Sequence, residues 1–229
     1  MADCLSLLRK TCLFSDLSEE VLQQHILPHS VLSDYAKGQF LIEPRQLVNC
    51  LAVVLSGKVQ IMHLFYDGSY SLMSSLTAGH ILGADLVCTR SRLSPYHAVA
   101  AAPTRILQFP AELLTTPGML PESQRLLILD RLLTLISHEN MRKEYRLAIL
   151  SQKGLRERII TYLTMQSARL QQTTFSIPFS REELAAFLCV NRSALSHELS
   201  RMQQEGLISF RKNTFTILHL PQSDKHILV

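Results

Sequence analysis

The chain reads as an α+β protein in three parts. These are an N-terminal antiparallel β-roll of the double-stranded β-helix or jelly-roll type, a long dimerisation helix, and a C-terminal winged helix-turn-helix. Three observations lead there. Between Val31 and Pro110 apolar residues alternate with period two and glycines stand at the corners. From Glu122 to Leu150 there is neither Pro nor Gly, and apolar residues recur in steps of four and three. Ser180–Gly206 holds two capped helical patterns around a tight break. The parts are placed at 1–118, 119–150 and 151–229.

Residues 1–30 carry short helical patterns, with Ser18 leading a piece that ends near Pro28. Strands are expected over Val31–Tyr35, Gln39–Ile42, Leu51–Leu55, Val59–Phe65, Tyr70–Leu76, Ala98–Ala101 and Arg105–Phe109. Turn signals lie at Lys37-Gly38, Ser56-Gly57, Asp67-Gly68 and Ala78-Gly79. Gly57, Gly68 and Gly79 are evenly spaced, as the corners of an antiparallel roll would be.

Pro117-Gly118 closes the roll, and Pro121 suits a first helical turn. On the long helix Leu126, Leu129, Leu133, Ile136, Asn140, Lys143, Leu147 and Leu150 form a heptad line, the seam for a second copy of the chain. Asn140 falls on that seam, where a polar residue sets register at a cost in stability. Leu127, Ile128, Leu132 and Leu135 form a second apolar face, expected to pack on the roll. Ser151–Gly154 reads as a hinge and Leu155–Leu170 as another helix. Thr173–Pro178 leads into the helix-turn-helix.

In that last motif Ser180 is the N-cap of the first helix, with Glu183 completing a capping box. Asn191 caps the second, whose Leu195, Leu199 and Met202 face inward. Its outward side reads Arg192, Ser193, Ser196, His197, Ser200 and Arg201. Short polar side chains with a few cations suit a surface that enters the major groove, where Arg forks onto guanine and Ser donates or accepts. Leu207–Phe210 and Thr214–Leu218 alternate as a hairpin with Arg211, Lys212 and Asn213 at the tip, which makes the wing.

The excess charge agrees. Over 1–150 there are 13 basic and 13 acidic residues; over 151–229 there are 10 and 6, so the whole +4 balance sits with the helix-turn-helix. No apolar run approaches the ~18 residues of a membrane span, and MADCLSLLRK lacks a signal-peptide layout. Cys4, Cys12, Cys50, Cys88 and Cys189 are an odd set without a CxxC pair, which points to a reducing, cytoplasmic compartment and to no metal site. Catalytic signatures such as GxSxG, HExxH, GxGxxG and GxxxxGK[ST] are missing. Ser196-His197-Glu198 has triad residue types, but consecutive helical residues point ~100° apart and form no relay.

The order and length of these parts resemble the CRP/FNR superfamily of bacterial transcription regulators. The most specific words are Tyr35-Ala36-Lys37-Gly38-Gln39, Val54-Leu55-Ser56-Gly57-Lys58-Val59, Leu76–Gly83 and Ser180–Leu207. The resemblance implies a homodimer that binds double-stranded DNA under control of a small molecule held between roll and dimer helix, with RNA polymerase as a further partner. Arg192, Ser193, Ser196 and His197 are then the base-reading candidates. Ser180, Arg181, Asn191, Arg201 and Lys212 are the positioning ones.

The departures narrow the effector. Gly83-Ala84-Asp85 stands where cyclic-nucleotide-binding members have Gly-Glu, and Pro95-Tyr96 where they have Arg-Ser. A cyclic phosphate would enter an apolar cavity with no cation to pair it, so cyclic AMP is not the expected effector. Cys4, Cys12, Cys50 and Cys88 are not the tight set an iron–sulfur cluster requires, and His80 and His97 carry no haem-specific signal; no cofactor is expected. Asp85, Tyr96, His97, Leu126 and Leu129 are the candidate effector lining. On the recognition helix Ser193 and His197 replace a Glu and an Arg, so the family's half-site does not carry over. Cys189 occupies a turn position where relatives have Gly, and a left-handed backbone there is costly. The competing reading is a ligand-binding roll whose C-terminal domain contacts protein rather than DNA, and steep salt dependence of duplex binding separates the two.

Overall fold

The computed structural model describes residues 2–219. In chain order the elements are α1 (Ala2–Leu8), α2 (Glu19–Val21), β1 (Val31–Tyr35), β2 (Phe40–Ile42), β3 (Cys50–Ser56), β4 (Lys58–Leu64), β5 (Tyr70–Thr77), β6 (Ile81–Leu82), α3 (Ala84–Val87), β7 (His97–Ala100) and β8 (Thr104–Pro110). There follow α4 (Glu112–Thr115), α5 (Glu122–Leu150), α6 (Leu155–Leu170), β9 (Thr174–Ser176), α7 (Arg181–Phe187), α8 (Arg192–Gln204), β10 (Ile208–Arg211) and β11 (Thr214–Ile217). By contact the chain divides into two units. One holds Met73–Met141 and most of what precedes it; the other holds Tyr70–Leu72 and the chain from Arg142 onward. The division runs through α5.

In the first unit the strands form two four-stranded sheets, ordered β1-β8-β3-β6 and β2-β7-β4-β5. The pairs β1–β8, β3–β8, β3–β6, β2–β7 and β4–β7 are antiparallel. Neighbours are mostly distant in sequence, which is the signature of a roll rather than a meander. One corner leaves no room for a side chain. At Gly57 (φ +86°) an added Cβ would stand 2.3 Å from the Pro103 carbonyl oxygen, so only glycine fits. Leu51, Val53, Val54, Val59 and Ile106 are fully buried, and Phe109 meets Phe14 edge-on with centroids 5.2 Å apart. Each such side chain contributes about 1.5–3 kcal/mol of burial.

The N-terminal half of α5 packs on this core. Ile128 and Leu132 are buried, and Leu127, Leu129, Leu135 and Ile136 are partly covered by it. Leu126, Leu133 and Leu147 remain 55–66% exposed, and Asn140 is exposed with them. The expected packing face is therefore present. Of the two alternating heptad lines, 126-133-140-147 is open throughout, whereas Leu129 and Ile136 already lean on their own core.

The second unit packs α6, α7 and α8 around Leu163, Leu184, Leu195, Leu199, Met202 and Phe215, with Tyr162, Phe179 and Phe187 in mutual ring contact. Its sheet has the order β10-β11-β9. The short strands β6 and β9 were not expected from the sequence, since two or three residues show no period. β9 buries Phe175 and pairs along β11, with Ser176 Oγ and Thr214 Oγ1 2.8 Å apart. Among the described residues no helix is long and apolar enough to cross a membrane.

Candidate nucleic-acid interface

The helix-turn-helix is built from caps. Ser180 Oγ accepts from the Glu183 N–H at 3.2 Å, while Glu183 Oε2 accepts from the Ser180 N–H at 2.8 Å. Asn191 Oδ1 accepts from the Ala194 N–H at 2.7 Å and from the Ser193 hydroxyl at 2.9 Å. Between the helices Val190 N–H donates to the Ala185 carbonyl and Cys189 N–H to that of Ala186, the paired bonds of a Schellman turn. Cys189 fills its left-handed position at φ +56°. Ala185, 2% exposed, sits at this crossing.

Of the nine expected interface residues, this half of the molecule gathers all on or beside α7, α8 and the wing. At 100° per residue, Leu195, Leu199 and Met202 set the buried side of α8, and the opposite side centres on Ser193, His197, Ser200 and Gln204. Arg192 is exposed at the first helical position but lies toward one flank, and Ser196 is half-buried on the same flank. Ser200 Oγ donates back to the Ser196 carbonyl at 2.9 Å. Gln204 escaped the sequence reading, although its spacing of seven from His197 places it on the same line.

The wing is held by Arg181. Its guanidinium lies 4.9 and 5.6 Å from the Phe210 and Phe215 ring centroids and donates to the Lys212 carbonyl at 3.1 Å. Burial, and then the charge of Arg192, lower its pKa below the usual guanidinium value. Lys212 takes φ +56° at the tip, and Asn213 Nδ2 donates to the Ile177 carbonyl at 3.1 Å. A groove of about 420 Å³ runs beside them, lined by Pro178, Ser180, Arg181, Lys212, Asn213 and Phe215 among others.

The five effector candidates do not converge on one cavity. Asp85 and Tyr96 are joined, the Tyr96 hydroxyl donating to Asp85 Oδ1 at 2.9 Å. Burial, then the Asp85 charge, push the phenol far above its ordinary range. His97 lies instead against Phe40, centroids 5.6 Å apart, and its buried Nδ1 has no partner among the described residues. Leu126 is exposed, and Leu129 leans on the roll core. A cavity of about 70 Å³ in the roll is lined by Leu41, Ile42, Cys50, Ala52, Leu82 and Ile106, with Gln46 and Gln108, and by none of the five. Ligand pockets usually measure ~300 Å³ or more. Among the described residues no three His, Cys, Asp or Glu side chains stand close enough to share a metal ion.

A β-roll ahead of a capped, winged helix-turn-helix is the architecture of a DNA-binding transcription regulator. Comparison with known proteins agrees. Residues 32–116 match the cyclic nucleotide-binding domain family, and residues 157–222 the Crp-like helix-turn-helix domain family. The fumarate and nitrate reduction regulatory protein of Vibrio cholerae is 23% identical over 80% of this chain and 73% of its own. The transcriptional activator protein anr of Pseudomonas aeruginosa is 27% identical over 76% and 70%. The solved structure of the c-di-GMP responsive global regulator CLP of Xanthomonas campestris superposes with TM-score 0.68 at 18% identity, over 89% of this chain and all of that one. FixK2 from Bradyrhizobium japonicum gives 0.62 at 17%, over 82% and 92%. At such identity these structures speak for the fold alone. The chain belongs to the CRP/FNR superfamily of transcription regulators.

Proposed function

We propose that the protein works in the cytoplasm as a homodimer, each copy placing one α8 in the major groove of a two-fold-related DNA site, with the two helices about 34 Å apart. The observation that carries this reading is the pair of surfaces left open. Leu126, Leu133, Asn140 and Leu147 form an uncovered heptad line on α5, and Ser193, His197 and Ser200 an uncovered polar line on α8. Arg192, Ser193, Ser196 and His197 read bases. Ser180, Arg181, Asn191, Arg201 and Lys212 position the domain on phosphates, with Arg181 acting through the wing it braces. RNA polymerase is the further partner of a DNA-bound dimer.

The effector is a small organic molecule other than cyclic AMP. Pro95-Tyr96 stands where a cyclic phosphate would require an arginine, and the Asp85 carboxylate bonded to Tyr96 would repel that phosphate. The lining of its site includes Asp85 and Tyr96, with His97, Leu126 and Leu129 as further contributors.

The test is duplex binding by fluorescence anisotropy with DNA from the protein's own upstream region, over a salt series, alongside sedimentation. A dimer that prefers its own region and loses affinity steeply with salt is expected. A monomer indifferent to DNA sequence would overturn the reading. Thermal shifts with a metabolite panel test the effector: at a hundred-fold excess over Kd a ligand adds about 2.7 kcal/mol, and such a gain from cyclic AMP would overturn its exclusion.

A further inference from the structure

Helix α6 reaches α8 through one side chain that no part of the reading above uses. Arg156, in the first turn of α6, donates from Nε to Glu198 Oε1 at 2.5 Å and forks from Nη1 and Nη2 onto the two Glu205 oxygens at 2.6 and 2.9 Å. Glu198, on α8, and Glu205, the residue that caps its C-terminal end, are seven residues apart, two turns along one side of the helix. Arg201 stands between them. Its Nη1 is 3.6 Å from Glu198 and its Nη2 3.9 Å from Glu205, beyond hydrogen-bond reach. Arg201 is thus at long ion-pair distance from both carboxylates and hydrogen-bonded to neither.

Charge makes this arrangement matter. Two carboxylates on a helix that approaches a polyanion oppose binding unless a cation holds them. The Glu198 side chain is only 14% exposed, so water screens its charge weakly. The hydrogen bonds to Glu205 and Glu198 raise the Arg156 pKa, and the bond from Arg156 lowers that of Glu205. Arg–carboxylate forks of this kind are directional as well as strong, so the same contact fixes the rotation of α8 on α6.

We propose that Arg156 is a positioning residue for DNA binding: it engages the Glu198 and Glu205 carboxylates, which leaves the Arg201 guanidinium available to a DNA phosphate and sets the angle of α8. This rests on the reading of α8 as the groove-entering helix. Without Arg156 the two carboxylates capture Arg201, and their remaining charge stays unpaired on the flank of the helix that approaches the duplex.

A four-protein cycle tests it with the full chain: unaltered, Arg156→Met, the Glu198→Gln/Glu205→Gln pair, and all three changes together. Affinity is read by anisotropy on the preferred duplex and on a random one, across salt. Arg156→Met should weaken binding to both about ten-fold and lower the salt slope by about one, as loss of a phosphate contact does. In the Glu198→Gln/Glu205→Gln background the same change should cost less than about two-fold, because the charges it manages are gone. An equal loss in both backgrounds makes Arg156 a packing residue and overturns the proposal, as does no loss in either. Should Arg156→Met fail to fold, Arg156→Lys replaces it. Lysine keeps the charge without the fork and should retain the salt slope, and a slope reduced by about one would overturn the proposal. If the unaltered chain binds no duplex at all, the DNA-binding reading itself falls, a result separable from every other arm.

Discussion

Tyr96 gives its hydroxyl proton to Asp85 across 2.9 Å, from a ring only 8% exposed. That bond satisfies a phenol that burial keeps protonated and holds a carboxylate at the mouth of α3. It also puts an acid and an aromatic ring side by side in the segment between Gly83 and His97.

The pair sets an alkaline limit on stability. A tyrosine whose folded pKa lies above its unfolded value, 10.0, adds stability that is fully present below pH 10 and is lost as pH rises beyond it. Tyr162, buried in the second unit with its hydroxyl unpartnered among the described residues, is shifted the same way by burial. Melting temperature should therefore fall as pH passes 10, less steeply in Tyr96→Phe and Tyr162→Phe. At pH 7 Tyr96→Phe should cost about 1–2 kcal/mol for the lost bond to a carboxylate, and a melt series over pH 7–11 checks both statements.

Two neighbouring positions on α5 should behave oppositely. Ile128 is fully buried in the roll core, and Ile128→Ala should destabilise by about 2–5 kcal/mol. Leu133 is 66% exposed on the proposed seam; Leu133→Glu should leave the melting of the monomer within about 0.5 kcal/mol while abolishing dimer formation. A dimer that survives Leu133→Glu in sedimentation would place the interface elsewhere.

Within the DNA interface, Arg192→Ala should cost about 1–3 kcal/mol of discrimination between preferred and random duplex if the residue forks onto guanine. Lys212→Ala should weaken both duplexes alike and lower the salt slope by about one. Identical profiles for the two variants would assign Arg192 to a phosphate.

Cys189 should be a place to gain stability. It holds the left-handed position of the Schellman turn, where a side chain costs roughly 1–2 kcal/mol that glycine avoids. Cys189→Gly should raise stability by about 1 kcal/mol, the larger unfolded-state entropy of glycine returning part of the gain. Chemical denaturation measures it directly.

Much of the interface was legible in local sequence because caps and turns are local. Ser180 with Glu183, Asn191 with Ala194, and Cys189 in its left-handed turn each depend on residues three to five apart. The Arg156 contact was not legible. Its partners lie 42 and 49 residues away, and helical spacing of Glu198 and Glu205 shows that they share a side of α8 without saying what faces it. The effector lining failed to converge for a related reason: Tyr96 and His97 are adjacent in sequence, yet one turns to Asp85 and the other to Phe40.

The amino-acid sequence by itself determined the order of roll, long helix and winged helix-turn-helix, because period, capping and turn chemistry act over a few residues and survive without their surroundings. Only the tertiary structure decided which of the α5 leucines stay uncovered, which cation braces the wing and which one holds the α8 carboxylates. Those outcomes depend on what elements far apart in the chain bring to the same few ångströms, and no local pattern carries that distance.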